Sequence, residues 1–253
     1  MRAVAQPVPW REFQYPLNVF MHILTHEHGD VTALHYGLFE RDDESLYEAQ
    51  ERSTELLLSR LPPPPARLLE AGIGLGTTMR RLVALGYDVT GITPDAQQIA
   101  MVRARHGDAL RVHCAPFEQF DDGTRYDVII FQESSQYIDA EALFARAAAL
   151  APQVIVLDEF ALREVEGLHR LDAFLEAAAR HRFDVIELLD LSKQAAPTMS
   201  YFATRIPEYR QRLIADLGIT SQQVDDLVAS GARYRERYAD GTYGYRLVRL
   251  QSR

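Results

Sequence analysis

From Ala66 onward, short apolar runs alternate with longer stretches in which apolar residues recur every three or four positions. The runs are Arg67–Ala71, Asp88–Ile92, Leu110–His113, Asp127–Phe131 and Val154–Leu157; the helical stretches between them are Thr77–Leu85, Ala96–Arg105 and Ala140–Leu150. Such alternation predicts β-α-β units, hence a doubly wound α/β fold on a mostly parallel sheet. Val128-Ile129-Ile130-Phe131 shows no polar alternation, as in a strand covered on both faces, and is expected at the sheet centre. After Asp158 the pattern predicts a helix over about 164–181, a strand near Asp184–Leu189, a mostly helical segment to about Asp240 and a last, seventh strand at Tyr243–Leu250. The segment at about 193–240 is too long for a turn and too patterned for a linker, so a helical cap over a site is expected there.

Residues 1–65 read as helical and irregular and end at Pro62–Pro65, a stiff spacer that no helix crosses. The expected organisation is therefore a helical leader, 1–65, followed by one α/β domain, 66–253. A chain of 253 residues that is 47% hydrophobic needs no second core. The formal charge of −9 argues against a nucleic-acid backbone or an anionic membrane as principal partner, and no run suits a spanning helix or a signal peptide. Cys114, the single cysteine, has no internal disulfide partner, so a cytoplasmic protein is expected. Lys193 is the only lysine, leaving one candidate for Schiff-base chemistry and nothing that favours it.

The first strand runs into Glu70-Ala71-Gly72-Ile73-Gly74-Leu75-Gly76. In open parallel sheets the ligand lies beyond the strands' carboxyl ends, and glycines at this turn allow positive φ and close backbone approach. The spacing is G-x-G-x-G followed by Thr77; it lacks the last glycine of the dinucleotide fingerprint and the lysine of a phosphate loop. A carboxylate at Glu70 would repel a pyrophosphate but suits an ammonium group.

On these residues the chain resembles the class I S-adenosylmethionine-dependent methyltransferases, through Leu68–Thr78, Val89–Gln98 and Tyr126–Asp139. Gly91-Ile92-Thr93-Pro94-Asp95-Ala96-Gln97-Gln98 is similar to the second-strand motif of the branch that holds cyclopropane fatty acid synthases, tocopherol methyltransferases and natural-product sugar O-methyltransferases. The resemblance implies S-adenosylmethionine as methyl donor, S-adenosylhomocysteine as product, Glu70, Gly72, Gly74 and Gly76 around the cofactor, and Thr93 and Gln98 at its ribose. His35–Phe39 and Ser45–Gln50 resemble the same branch, which implies a leader closing over the cofactor with Tyr36 against it. Many relatives carry an aspartate after the third strand for adenine. This chain reads Cys114-Ala115-Pro116-Phe117-Glu118, so the Pro116–Phe117 backbone and the Phe117 ring are expected to hold that base.

Methyl transfer from a sulfonium is an in-line displacement, so alignment and exclusion of water matter most and a base is optional. Gln132 and Glu133, at the end of the fourth strand, are expected at the mouth of the site, Gln132 toward the cofactor. Related O-methyltransferases resemble the chain at Glu133-Ser134 but carry a basic histidine where this chain has Tyr137, a poor base at neutral pH. Glu133, Tyr137 and Asp158, with Glu159 beside it, are the candidate catalytic groups. Tyr15, Phe20, Tyr36 and Phe39 of the leader, and Met199, Tyr201, Phe202, Tyr209 and Lys193 of the cap, are candidates to line an acceptor pocket. The reading that follows is methylation, on oxygen, of a small and partly apolar metabolite of secondary metabolism, by a protein for which a homodimer is allowed. Carbon methylation or cyclopropanation of a lipid chain is the alternative; there Glu133 would help to hold a bicarbonate base, although Ser134 stands where a histidine usually follows the acid. A non-catalytic cofactor-binding accessory protein is the third reading.

Two motifs are set aside. His26-Glu27-His28-Gly29-Asp30 looks like a metallo-β-lactamase zinc motif, but Val31 replaces its last histidine, so no metal is expected and His26 and His28 are assigned to the substrate mouth or solvent. Arg233-Tyr234-Arg235-Glu236-Arg237-Tyr238 mixes arginine and aromatic residues but is interrupted by Glu236, and reads as a solvated helix end.

Overall fold

The computed structural model describes residues 10–41 and 43–253, so the first nine residues of the expected leader lie outside it. Seven strands, β1 (Arg67–Ala71), β2 (Asp88–Thr93), β3 (Arg111–Cys114), β4 (Val128–Gln132), β5 (Gln153–Ala161), β6 (Phe183–Asp190) and β7 (Tyr243–Ser252), form one sheet in the order β3-β2-β1-β4-β5-β7-β6. The first five run parallel, and β7 runs antiparallel to both β5 and β6. The apolar run of β4 is the middle strand, as its pattern predicts.

Side chains alternate across the central strands, and both faces are buried. Leu69, Ile129, Phe131, Val154 and Val156 face the helices α5 (Ala140–Leu150) and α6 (Leu171–Arg180), packing with Leu143, Phe144, Phe174 and Ala177. Leu68, Val128, Ile130, Ile155 and Leu157 face the other way, toward Met79 and Leu82 of α3 (Thr77–Ala84) and Ile99 and Val102 of α4 (Ala96–His106). Asp95 and Asp139 cap α4 and α5 by accepting backbone N–H bonds, which starts each helix just past a strand's carboxyl end.

Two elements differ from the sequence pattern. β5 continues to Ala161, past the predicted Leu157, because Asp158–Ala161 pair with Tyr243–Arg246 of β7; two consecutive acids hide a strand from a hydrophobic reading. The helix expected from about 164 begins at Leu171, after an irregular stretch in which Gly167 has a φ of 105°.

The leader contributes α1 (Leu17–His28), an irregular stretch and α2 (Leu46–Leu58), which opens with a Ser45/Glu48 capping box. The segment between β6 and β7 forms α7 (Ser192–Ala195), α8 (Pro197–Leu217) and α9 (Ser221–Ala239). Val19 and Ile23 of α1 pack with Ile206 and Leu213 of α8 and Val224 and Leu227 of α9, so leader and cap share one apolar cluster.

Candidate active site

The glycine turn after β1 is built as the sequence requires: Gly72, Gly74 and Gly76 have φ of 82°, 50° and 73°, and Gly76 precedes the first turn of α3. At Gly72 a second constraint is decisive. A Cβ there would lie 2.3 Å from the Ser134 Cβ, in the segment that leaves β4, while the Ser134 hydroxyl donates to the Ala71 carbonyl at 2.5 Å. Gly72 thus lets the β4 exit close over the end of β1, a packing role in addition to the ligand approach expected for it.

Beneath this turn two polar atoms are buried without partners, Oε2 of Glu70 and Nε2 of Gln132. Both side chains lie on the α3 face of the sheet by strand alternation, on adjacent strands. Thr78 donates to Oε1 of Gln132 at 3.1 Å, which fixes the amide and leaves its NH2 group to donate elsewhere. Burial alone pushes the Glu70 carboxyl up to about 8. An unmatched acceptor beside an unmatched donor suits a ligand carrying an ammonium and a carboxylate on one carbon, so the residues present fit the amino-acid end of S-adenosylmethionine.

At the end of β2 the Thr93 hydroxyl donates to Oε1 of Gln98 at 2.9 Å and accepts from the Asp95 N–H at 3.2 Å. Gln98 is thereby held with its NH2 group free to donate, in keeping with the ribose role that the resemblance implies. Phe117 is 3% exposed and packs edge-on against Phe131 at 5.0 Å, so its ring belongs to the core and the neighbouring backbone is what remains for adenine.

The acids separate by the face they occupy. Asp158 lies on the α5 and α6 side; Oδ2 accepts from the Ser135 N–H at 3.0 Å and hydroxyl at 2.6 Å, and Oδ1 from the Glu159 N–H at 2.9 Å. It ties down the turn after β4, with a carboxyl raised to about 6 by burial, so the contacts the structure gives this expected catalytic group are those of that turn. Glu159, one residue on, faces the opposite side: Tyr238 donates to Oε1 at 2.6 Å, and burial raises the carboxyl to about 7.

Glu133 lies just past β4 with a φ of 56°, unusual for a glutamate. Its Oε1 accepts from the Tyr36 N–H at 2.5 Å and from the Tyr245 hydroxyl at 2.6 Å, while burial raises the carboxyl well above the ordinary range. The Tyr36 and Tyr245 rings stack at 5.5 Å and 4°. The Tyr36 hydroxyl donates to Sδ of Met199 at 2.9 Å, and Gly37 N–H donates to the Thr198 hydroxyl at 3.0 Å, so the leader, the start of α8 and the end of β4 meet here. Tyr137, another expected catalytic group, makes none of these hydrogen bonds and is 87% exposed, yet burial and then the charges of Asp158, Glu133 and Glu159 raise its pKa, so it stands within electrostatic reach of the acids.

Sequence reasoning missed Tyr245, whose strand marks it only as a buried aromatic, and Tyr238, read within a solvated helix end. On α9 the run divides by face: Arg233, Arg235 and Glu236 are exposed, while Tyr234 and Tyr238 are half-buried. Of the other expected pocket residues, Phe20 meets Phe202 at 4.8 Å, and Tyr209 donates to Glu27 at 2.6 Å. Asp30, in the zinc-like motif, binds Arg105 at 2.8 Å, and His28 lies 3.2 Å from the Tyr201 hydroxyl. No helix among the described residues is long and apolar enough to cross a membrane.

Comparison with known proteins agrees with this architecture. Residues 30–148 match the family model of mycolic acid cyclopropane synthetase. The cyclopropane mycolic acid synthase MmaA2 of Mycobacterium bovis is 36% identical over 142 residues, 52% of this chain and 48% of that protein. The ubiquinone biosynthesis O-methyltransferase of Rhodopseudomonas palustris is 33% identical over 89 residues, 33% of this chain and 35% of that protein. The chain thus spans about half or less of the length of the curated relatives it matches. Among solved structures, the cyclopropane synthase MmaA2 from Mycobacterium tuberculosis superimposes with a TM-score of 0.78 at 21% identity, covering 87% of this chain and 90% of that one. The chain therefore has the Rossmann-like class I methyltransferase fold of the solved structures it superimposes on, and its residues 30–148 are similar to the cyclopropane synthases.

Proposed function

We propose that the protein binds S-adenosylmethionine at the carboxyl ends of β1, β2 and β4 and transfers its methyl group to a small, partly apolar acceptor, with oxygen as the attacking atom. The observation that carries this reading is the buried, unpartnered pair of Glu70 Oε2 and Gln132 Nε2 under the glycine turn. Glu70 would hold the ammonium, Gln132 the carboxylate, and Gln98 a ribose hydroxyl. The bound cofactor supplies an electrophilic methyl group on a sulfonium. The chain supplies alignment, exclusion of water by leader and cap, and a proton acceptor at Glu133. A hydroxyl acceptor that gains the methyl must lose its proton, and the Glu133 carboxylate takes it. Burial makes that carboxylate more basic than an exposed glutamate, and the Tyr36 N–H and Tyr245 hydroxyl hold it in place.

A second reading, methylation or cyclopropanation at an alkene carbon, is favoured by the match to the mycolic acid cyclopropane synthetase family and by the stacked Tyr36 and Tyr245 rings beside Glu133. Electron-rich rings stabilise the cation that an alkene becomes on gaining a methyl, and Glu133 would again take the proton. Calorimetry with S-adenosylmethionine tests the cofactor, and absence of binding would refute both readings. Transfer of a labelled methyl group to phenols and sugars against unsaturated lipids then separates them. Tight binding without turnover on any acceptor would support the accessory role.

A further inference from the structure

A polar cluster lies away from the active site, where the leader meets the cap. His22 and His26 stand one turn apart on α1, on the same face, with ring centroids 4.5 Å apart. Asp216, near the end of α8, reaches them across the interface: its Oδ2 lies 2.9 Å from Nε2 of His22. One ligand atom from each of the three residues falls within 4.8 Å of the others. A tetrahedral ion with bonds of about 2.0 Å spaces its ligand atoms by about 3.3 Å, so small side-chain rotations bring all three into range.

Three further features favour a metal over a simple ion pair. His22 is 2% exposed, and its Nδ1 is buried without a hydrogen-bond partner, so the ring holds an unused nitrogen beside the bonded one. Among the described residues the only ion-pair partner of the Asp216 carboxylate is His22; Arg212, 5.9 Å over the Tyr209 ring, acts on both groups from a distance, and Arg11 donates to the Asp216 backbone carbonyl and leaves the carboxylate to His22. His26 and Asp216 are exposed, giving an ion a way in and leaving room for water as a fourth ligand.

We propose that His22, His26 and Asp216 form a binding site for a divalent transition metal of the zinc class, which fastens α1 of the leader to α8 of the cap. Two imidazoles and one carboxylate are the donors such an ion prefers, and the i, i+4 histidine spacing presents both rings to it. The site shares only His26 with the His26-Glu27-His28-Gly29-Asp30 motif, whose Asp30 is bound to Arg105. It does not depend on the methyl-transfer reading.

The test is calorimetric titration of the full chain, stripped with a chelator, with zinc ion at pH 7.5. One equivalent of zinc is expected to bind and to raise Tm by about 5 °C at a hundredfold excess over Kd. His26→Ala and Asp216→Asn alter exposed side chains, so both variants should fold, and each should weaken zinc binding tenfold or more. His28→Ala should bind as the parent does. Failure to take up zinc would overturn the proposal, as would uptake unchanged in both His26→Ala and Asp216→Asn, or lost equally in His28→Ala.

Discussion

Glu70 offers the sharpest test, because its role in binding conflicts with its effect on folding. Its carboxyl is buried, one oxygen has no partner, and its pKa stands at about 8 against an ordinary value of 4.5. The folded chain therefore keeps a proton that the unfolded chain releases above pH 4.5, and stability falls as pH rises from 4.5 to 8. At pH 7 the loss spans two and a half pH units at 1.36 kcal/mol each, about 3 kcal/mol. Glu70→Gln removes that loss at similar volume. The ligand-free variant should be more stable than the parent at pH 7, by several degrees in Tm, and the difference should shrink toward pH 4.5. Cofactor binding should move the opposite way. The ammonium needs the ionised carboxylate, so the variant should bind S-adenosylmethionine ten- to a hundredfold more weakly, the worth of a charge-assisted hydrogen bond. Parent affinity should also rise about tenfold from pH 6 to pH 7.5, as Glu70 ionises while most of the ligand amine stays protonated, and the variant's should not. Thermal denaturation and calorimetry across this range read both effects. A variant less stable at pH 7 that binds the cofactor as the parent does would refute the reasoning.

Glu133→Gln should lower kcat a hundredfold or more for a hydroxyl acceptor while changing the cofactor Kd less than threefold, measured by steady-state kinetics and calorimetry. Asp158→Ala should destabilise the fold by about 2 kcal/mol in urea denaturation, because the Ser135 N–H and hydroxyl lose their acceptor; Tyr137→Phe, at an exposed ring, should leave stability within about 0.5 kcal/mol and kcat unchanged. Gly72→Ala should yield poorly folded chain, and the double variant with Ser134→Gly should recover part of the soluble yield by removing the clashing Cβ.

The α/β order was legible because β1, β2 and β4 are short and apolar and each helix after them starts at a clear signal, Asp95 for α4 and Asp139 for α5. β5 was legible only to Leu157, since hydrophobicity cannot show that an acid is paired inside a strand. The choice between Asp158 and Glu159 needed only the register of that strand: odd and even positions face opposite sides, and Leu157 and Glu159 share the cofactor side. What no pattern could supply were contacts made across the chain. Tyr36 meets Glu133 from 97 residues away, Tyr245 from 112, and Asp216 meets His22 from 194. Residues so far apart leave no spacing to read, and each looks alone like an ordinary core aromatic or a surface charge.

These long-range contacts also tie the leader and the cap to Glu133. Burial disfavours the charged form of Glu133, and two donors oppose it: a backbone N–H from the leader and a hydroxyl from β7. The leader donor is itself held by the cap, through Thr198 on Gly37 and Met199 on Tyr36. As the proton acceptor proposed above, Glu133 would owe its ionised form to the Tyr36 N–H and the Tyr245 hydroxyl, so the leader that supplies the first, and the cap that holds the leader, would help to set its charge.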